Sequence, residues 1–218
     1  MLALATLLVA CSTLPDHARP RAGLVDPASH RATDTIRYRG LTRADFRASE
    51  PPKQIAAHAK SFGAFTCVSV VPEGMTRVRL EPAREPGIYL ASFEGVGFHA
   101  EMDRGCSWWN PAGPPVPSAY VLEHEQIHFA LTEIQARRLT AAMRELRLRT
   151  DSPHSAAAEL DQRYHALLEA AMAELLRTST EFDEETSGSY EPERQARWLA
   201  RVESELARNG PSGRATRP

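Results

Sequence analysis

The sequence predicts an α+β fold: a small, mostly antiparallel sheet, then a long helical hairpin and a C-terminal helix. Three observations point there. Between Thr35 and Asp103 the apolar residues come in short, strand-like runs broken by Gly and Pro. From Ala119 onward they recur at three-to-five-residue steps over two long segments, as amphipathic helices require. The first of these segments contains His124-Glu125-Gln126-Ile127-His128, a complete H-E-x-x-H, a motif whose chemistry needs a helix.

The strand signals are Thr35–Tyr38, Ala64–Val71, Met75–Leu80, Ile88–Phe93 and Val96–Met102. The last two flank Glu94-Gly95, which reads as a hairpin turn. Gln54–Lys60 reads as a short helix. Trp108 and Trp109 read first as core packing and second as the wall of a substrate cleft. After a Pro-rich loop to Pro117, Ser118 is the expected N-cap of a helix from about Ala119 to Leu148. Its apolar stripe is Ile127, Leu131, Ile134, Leu139, Met143 and Leu146. Thr150-Asp151-Ser152-Pro153 breaks it, and Ser152 as N-cap with Pro153 behind it starts the second helix. That stripe (Leu160, Tyr164, Leu167, Leu168, Ala171, Leu175) fades near Arg177-Thr178, and Glu181 to Tyr190 reads as an acidic loop. A third helix, about Pro192 to Ala207, carries Ala196, Trp198, Leu199, Val202 and Leu206.

The ends carry their own signals. Met1 to Ala10 is an apolar run too short to span a bilayer, and it fits a signal-peptide core. Leu8-Val9-Ala10-Cys11 resembles the lipobox of bacterial lipoproteins, in which Cys11 becomes the lipidated residue; no Lys or Arg precedes the run. Residues 1–11 are therefore expected to be a lipoprotein signal peptide with its lipidated Cys, 12–33 a flexible tether, 34–208 one domain, and 209–218 a disordered tail. Ser12 after the Cys implies outer-membrane sorting, facing the periplasm, in a Gram-negative cell. An exported compartment permits disulfides, and Cys67 and Cys106 are the pair left to form one, with two buried thiols as the other reading. A net charge of −2 with 42% apolar residues argues against general disorder and against a nucleic-acid-binding footprint.

Two histidines four apart stand about 40° apart around a helix and about 6 Å apart along it, so both rings reach one small ion. Imidazole nitrogens in that pose suit zinc, and Glu125 between them is placed as general base toward a water. Catalytic zinc takes a third protein ligand. If the two long helices form an antiparallel hairpin, equal rise per residue puts the histidines level with about Glu174 to Glu185. The candidates are Glu174, Asp183, Glu184 and Glu185. Glu159 and His165 fall too far along the hairpin for ligation, and Glu133 points to the opposite side of the first helix from His124.

The segment His124-Glu125-Gln126-Ile127-His128-Phe129, continuing to Glu133 and Ala136-Arg137, resembles a bacterial family of predicted secreted zinc-dependent proteases with an H-E-Q-x-H-F helix. Phe182-Asp183-Glu184-Glu185-Thr186 and Gln195-Ala196-Arg197-Trp198 resemble the family's later segments, so the likeness covers about residues 118–206. It implies a zincin-like fold and a zinc site. Where the family has a His after the Thr, this chain has Gly188 or a gap. Asp183 is retained, and with it the resemblance favours Asp183 as third ligand, with Glu185, Glu184 and Glu174 as alternatives.

The function expected is a zinc metallopeptidase anchored by lipid in the bacterial envelope, acting on a peptide or protein substrate. Cell-wall amide hydrolysis is the same chemistry on another substrate. Tyr190 and His165 are the candidate donors to an oxyanion, and Val96–Met102 is the candidate edge strand for an extended substrate. The alternative from another class is a non-catalytic envelope lipoprotein, a binding or assembly module whose metal is structural or absent.

Overall fold

A computed structural model describes residues 34–187 and 189–208; Cys11, the tether, Gly188 and the tail lie outside the described residues. The strands are β1 (Thr35–Arg37), β2 (Ala64–Pro72), β3 (Arg77–Pro82), β4 (Tyr89–Glu94), β5 (Phe98–Trp109) and β6 (Arg147–Thr150). The helices are α1 (Ser118–Glu145), α2 (Pro153–Thr186) and α3 (Pro192–Arg208). Short 3-10 turns occupy Arg43–Asp45 and Ala56–Ser61, the latter where a short helix is expected. The fold is α+β, with two three-stranded antiparallel sheets rather than one, ordered β1-β5-β2 and β3-β4-β6. Among the described residues no helix is long and apolar enough to cross a membrane.

The expected hairpin across Glu94-Gly95 does not form. Gly95 turns the chain in the left-handed region (φ 73°), but β4 pairs with β3 and β6 while β5 pairs with β1 and β2. The turn therefore carries the chain from one sheet to the other. β5 ends up in the middle of its sheet, so the Val96–Met102 segment is not an edge strand. β1 is too short to cover the whole of its side of β5. There the Ala100 N–H is taken by Glu133 Oε2 (2.9 Å) and the Phe98 N–H by Thr140 Oγ1 (2.8 Å), both from α1.

α1 is the central helix. Ile127, Ala130, Leu131 and Ile134 pack on Leu175 and Phe182 of α2 and on Trp198 and Val202 of α3. Val121 and Phe129 pack on Ala64, Ala100 and Met102 of the β1-β5-β2 sheet. Ala136, Leu139 and Met143 meet Phe98 and Ala171. Every residue from Phe129 to Ala136 is buried, so the exposed polar face implied by the apolar stripe is absent there. Two of its polar members are bonded: Thr132 Oγ1 donates to the His128 carbonyl (2.9 Å), and Arg137 Nε donates to Glu133 (2.7 Å).

Other boundaries moved for local reasons. Pro117, not Ser118, holds the N-cap position of α1. Helix α1 ends at Glu145, because residues 147–150 pair with β4 as β6. Ser152 caps α2 as expected, its side chain accepting from the Ser155 N–H, with Pro153 first in the helix. The acidic segment is not a loop: α2 runs on to Thr186, fastened by packing of Phe182 that its acidic composition conceals. Trp108 is buried, and Trp109 packs edge-on against Phe46. Cys67 and Cys106 form a disulfide with Cα atoms 5.8 Å apart.

Candidate metal centre

The site is built where the first third of α1 passes the C-terminal turns of α2. His124 Nε2 lies 3.1 Å from Asp183 Oδ1, His128 Nε2 lies 3.0 Å from the same oxygen, and the two Nε2 atoms are 3.2 Å apart. Three potential ligand atoms thus converge on one point, and the side chains are 13–14% exposed. Ligands at about 2.0–2.1 Å around a tetrahedral ion stand about 3.3 Å from one another, so the observed separations fit a zinc-sized cation with little movement. Two imidazoles and one carboxylate are also the donor types such a cation takes.

Asp183 is the one candidate carboxylate that meets both rings. Glu174 pairs with Arg177 (2.8 Å), and Glu185 accepts from Trp198 Nε1 (2.8 Å). Glu184 is exposed. Successive helical residues point about 100° apart, so only one of 183, 184 and 185 can face α1. Phe182 and Thr186 flank the ligand from the same helix. The Phe182 ring stacks on His124 (4.5 Å between centroids, 26°) and stands edge-on to His128. Thr186 Oγ1 is 3.4 Å from His124 Nδ1, and Ser187 Oγ donates to Asp183 Oδ1 at 3.1 Å. These contacts set the rings from behind, the role outer-shell groups play at metal sites.

The electrostatics of the cluster favour separated charge. Burial works against an imidazolium at His128, but the Asp183 charge, its hydrogen bond and the Glu125 charge outweigh this and raise the His128 pKa. Burial likewise works against the Asp183 carboxylate, yet the two histidines hold its pKa well below the usual carboxylate range.

Glu125 is buried beside the ligands, and Thr66 Oγ1 donates to its Oε2. Thr66 comes from β2, where Ala64, Val68 and Val70 share the row packed on α1. A register shift sits at Thr66, between Phe65 and Cys67. Nothing in the H-E-x-x-H names this residue. The available signal was a single hydroxyl in an otherwise apolar, inward row of a strand. Tyr120 is a second unforeseen member. Its hydroxyl donates to the Thr186 carbonyl (2.9 Å) and accepts the Glu191 N–H (3.3 Å), tying the end of α2 to the helix of the histidines.

The two candidate oxyanion donors part company. Tyr190 rests edge-on against Tyr120 (4.9 Å), one helical turn before His124, and is half-exposed. His165 pairs with Asp161 on α2, 18 residues before Asp183 or about 27 Å along the helix, which removes it from the site. Gln195 and Trp198 act in packing: Gln195 Nε2 donates to the Tyr120 carbonyl (3.0 Å) and to Glu123 (2.9 Å), fastening α3 to α1.

No family model, no curated protein and no solved structure matches the chain.

Proposed function

We propose that the chain is a zinc-dependent hydrolase of amide bonds, a zincin-like peptidase belonging with the secreted zinc-dependent proteases that its H-E-Q-x-H-F segment resembles. The observation that carries this reading is the convergence of His124 Nε2, His128 Nε2 and Asp183 Oδ1 within 3.2 Å of one another, with Glu125 buried alongside.

His124, His128 and Asp183 would hold the zinc, which would supply Lewis acidity to a scissile carbonyl and a water of lowered pKa, about 7. Glu125 takes the water's proton on attack and delivers it to the leaving amine. Thr66 occupies Oε2 of Glu125, which leaves Oε1 as the oxygen that handles the proton. Tyr190, at the rim beside Tyr120, is the donor available to the oxyanion. The substrate strand expected at β5 moves to β2, which lies against α1, carries Thr66 and pairs only with β5 among the described residues. An extended peptide adds to its outer edge. The apolar run ending at Cys11 supports an exported, lipid-anchored setting for this chemistry.

The test is direct. The chain from about residue 30 is purified, its zinc measured, and cleavage of casein-derived peptides and of peptidoglycan stem peptides followed, with Glu125→Gln as control. The expected result is one zinc per chain in both proteins and cleavage in the wild type alone. A wild type that binds no zinc overturns the proposal. Zinc without cleavage of any amide favours the structural-metal lipoprotein instead.

A further inference from the structure

β3 is an edge strand of the β3-β4-β6 sheet. All six of its residues are exposed, and its only ladder partner among the described residues is β4. Val78 and Leu80 are each 41% exposed, large apolar side chains on a strand whose outer edge is open, the kind of edge that natural sheets normally blunt.

The direction of its backbone groups follows from one bond. β3 and β4 pair in constant register from Arg77↔Glu94 to Pro82↔Tyr89, and the Ala83 N–H donates to the Ile88 carbonyl (2.8 Å) in the same register. In an antiparallel ladder, inward and outward residues alternate. Arg77, Arg79 and Glu81 therefore spend their backbone groups on β4. Val78 and Leu80 turn N–H and C=O outward, and Pro82 turns out a carbonyl alone.

We propose that this edge pairs with a second copy of the same chain, antiparallel, about a twofold axis through Leu80. Under that axis Leu80 faces Leu80 of the second copy, and their backbones exchange two hydrogen bonds. Val78 N–H donates to the Pro82 carbonyl of the second copy, twice by symmetry. The missing N–H of Pro82 is the only loss. Arg79 falls opposite Glu81 of the second copy, again twice. Within one chain these two side chains already meet on one face (2.6 Å), so the pairs merge into a four-charge cluster of alternating sign. The opposite face buries Leu80 on Leu80 and Val78 on Pro82.

Charge selects this register over its neighbours. An axis through Arg79 also yields four backbone bonds and sets Arg77 opposite Glu81, but it adds a repulsive Arg79–Arg79 pair that the Leu80 axis lacks. An axis through Glu81 sets Glu81 against Glu81 and loses bonds at Pro82. Like charges directly opposite across strands are destabilising, and opposite charges stabilise the pairing. A single six-residue edge is a small interface, so the association is reversible and weak.

Sedimentation velocity of the full chain across the micromolar range tests the proposal, with far-UV circular dichroism to confirm folding. The wild type is expected to show a concentration-dependent monomer–dimer equilibrium. Arg79→Glu weakens it about tenfold or more, since two pairs turn repulsive. The double swap Arg79→Glu with Glu81→Arg restores it. Hydrogen exchange supplies a second readout: the Val78 and Leu80 amides gain protection with concentration while the Arg79 amide does not change. A wild type that stays monomeric, a dimer indifferent to Arg79→Glu, or a double swap that fails to restore it each overturns the proposal.

Discussion

At the scale of single residues, the zinc binding proposed for the cluster would depend on pH. His128 has a raised pKa in the folded chain, so its pairing with Asp183 stabilises the metal-free protein below the unfolded histidine value of about 6.5 and is lost as pH rises through the folded value. Asp183 has a lowered pKa, so its contribution is present above about pH 3.9 and is lost only as pH falls through the depressed folded value. The metal-free pair therefore stabilises most between those limits. Zinc needs the neutral imidazole, so its affinity should rise with pH through the folded His128 pKa, about tenfold per unit below it, and binding should release a proton. Calorimetry in buffers of different ionisation enthalpy measures both. Asp183→Asn should lose stoichiometric zinc, which elemental analysis reads directly. Thr66→Val should keep zinc and lose about 10- to 100-fold in turnover, the usual effect of removing an outer-shell partner. An unchanged rate would remove Thr66 from the site.

At the scale of elements, α2 does what its composition conceals. Arg177 to Thr186 reads as polar and acidic, yet Phe182 is fully buried between the histidines and Trp198, and that packing keeps the segment helical. The helix in turn aims Asp183 at α1 and leaves Glu184 in solvent. Tyr120 secures that end by its hydroxyl. Tyr120→Phe should cost about 1 kcal/mol and speed hydrogen exchange at residues 183–187 while the β5 amides stay protected. Uniform acceleration across the chain would show a global rather than a local effect. The H-E-x-x-H and its helix were legible because i,i+4 spacing is a local property. The end of α1 was not, because β4 decides whether residues 147–150 continue the helix or join a sheet.

At the scale of the whole molecule, one disulfide closes 39 residues between β2 and β5, the strands that carry Thr66 and the core beneath α1. Replacing both cysteines by Ala should lower stability by about 3–4 kcal/mol on the loop-entropy estimate, visible as a lower Tm under non-reducing conditions. A melt unchanged by reduction would deny the bond its structural role. The sheets show where sequence reading ran out. Alternation located most of the strands to within a few residues, but Glu94-Gly95 had the form of a hairpin turn and became a crossing between sheets. Which strands pair depends on which edges are left exposed by their neighbours, a property of no single segment.

By itself the sequence determined the two histidines, the glutamate between them, the Ser152-Pro153 start of α2 and the only pair of cysteines besides Cys11. Each follows from spacing or residue type within one stretch of chain. Tertiary structure alone decided which of four carboxylates meets the histidines, which strand lies beside Glu125 and which edges stay open. Asp183 is 55 residues from His128, and Thr66 is 59 from Glu125. Contacts at that separation are set by how α1 is buried on all sides at once, and no local pattern carries that information.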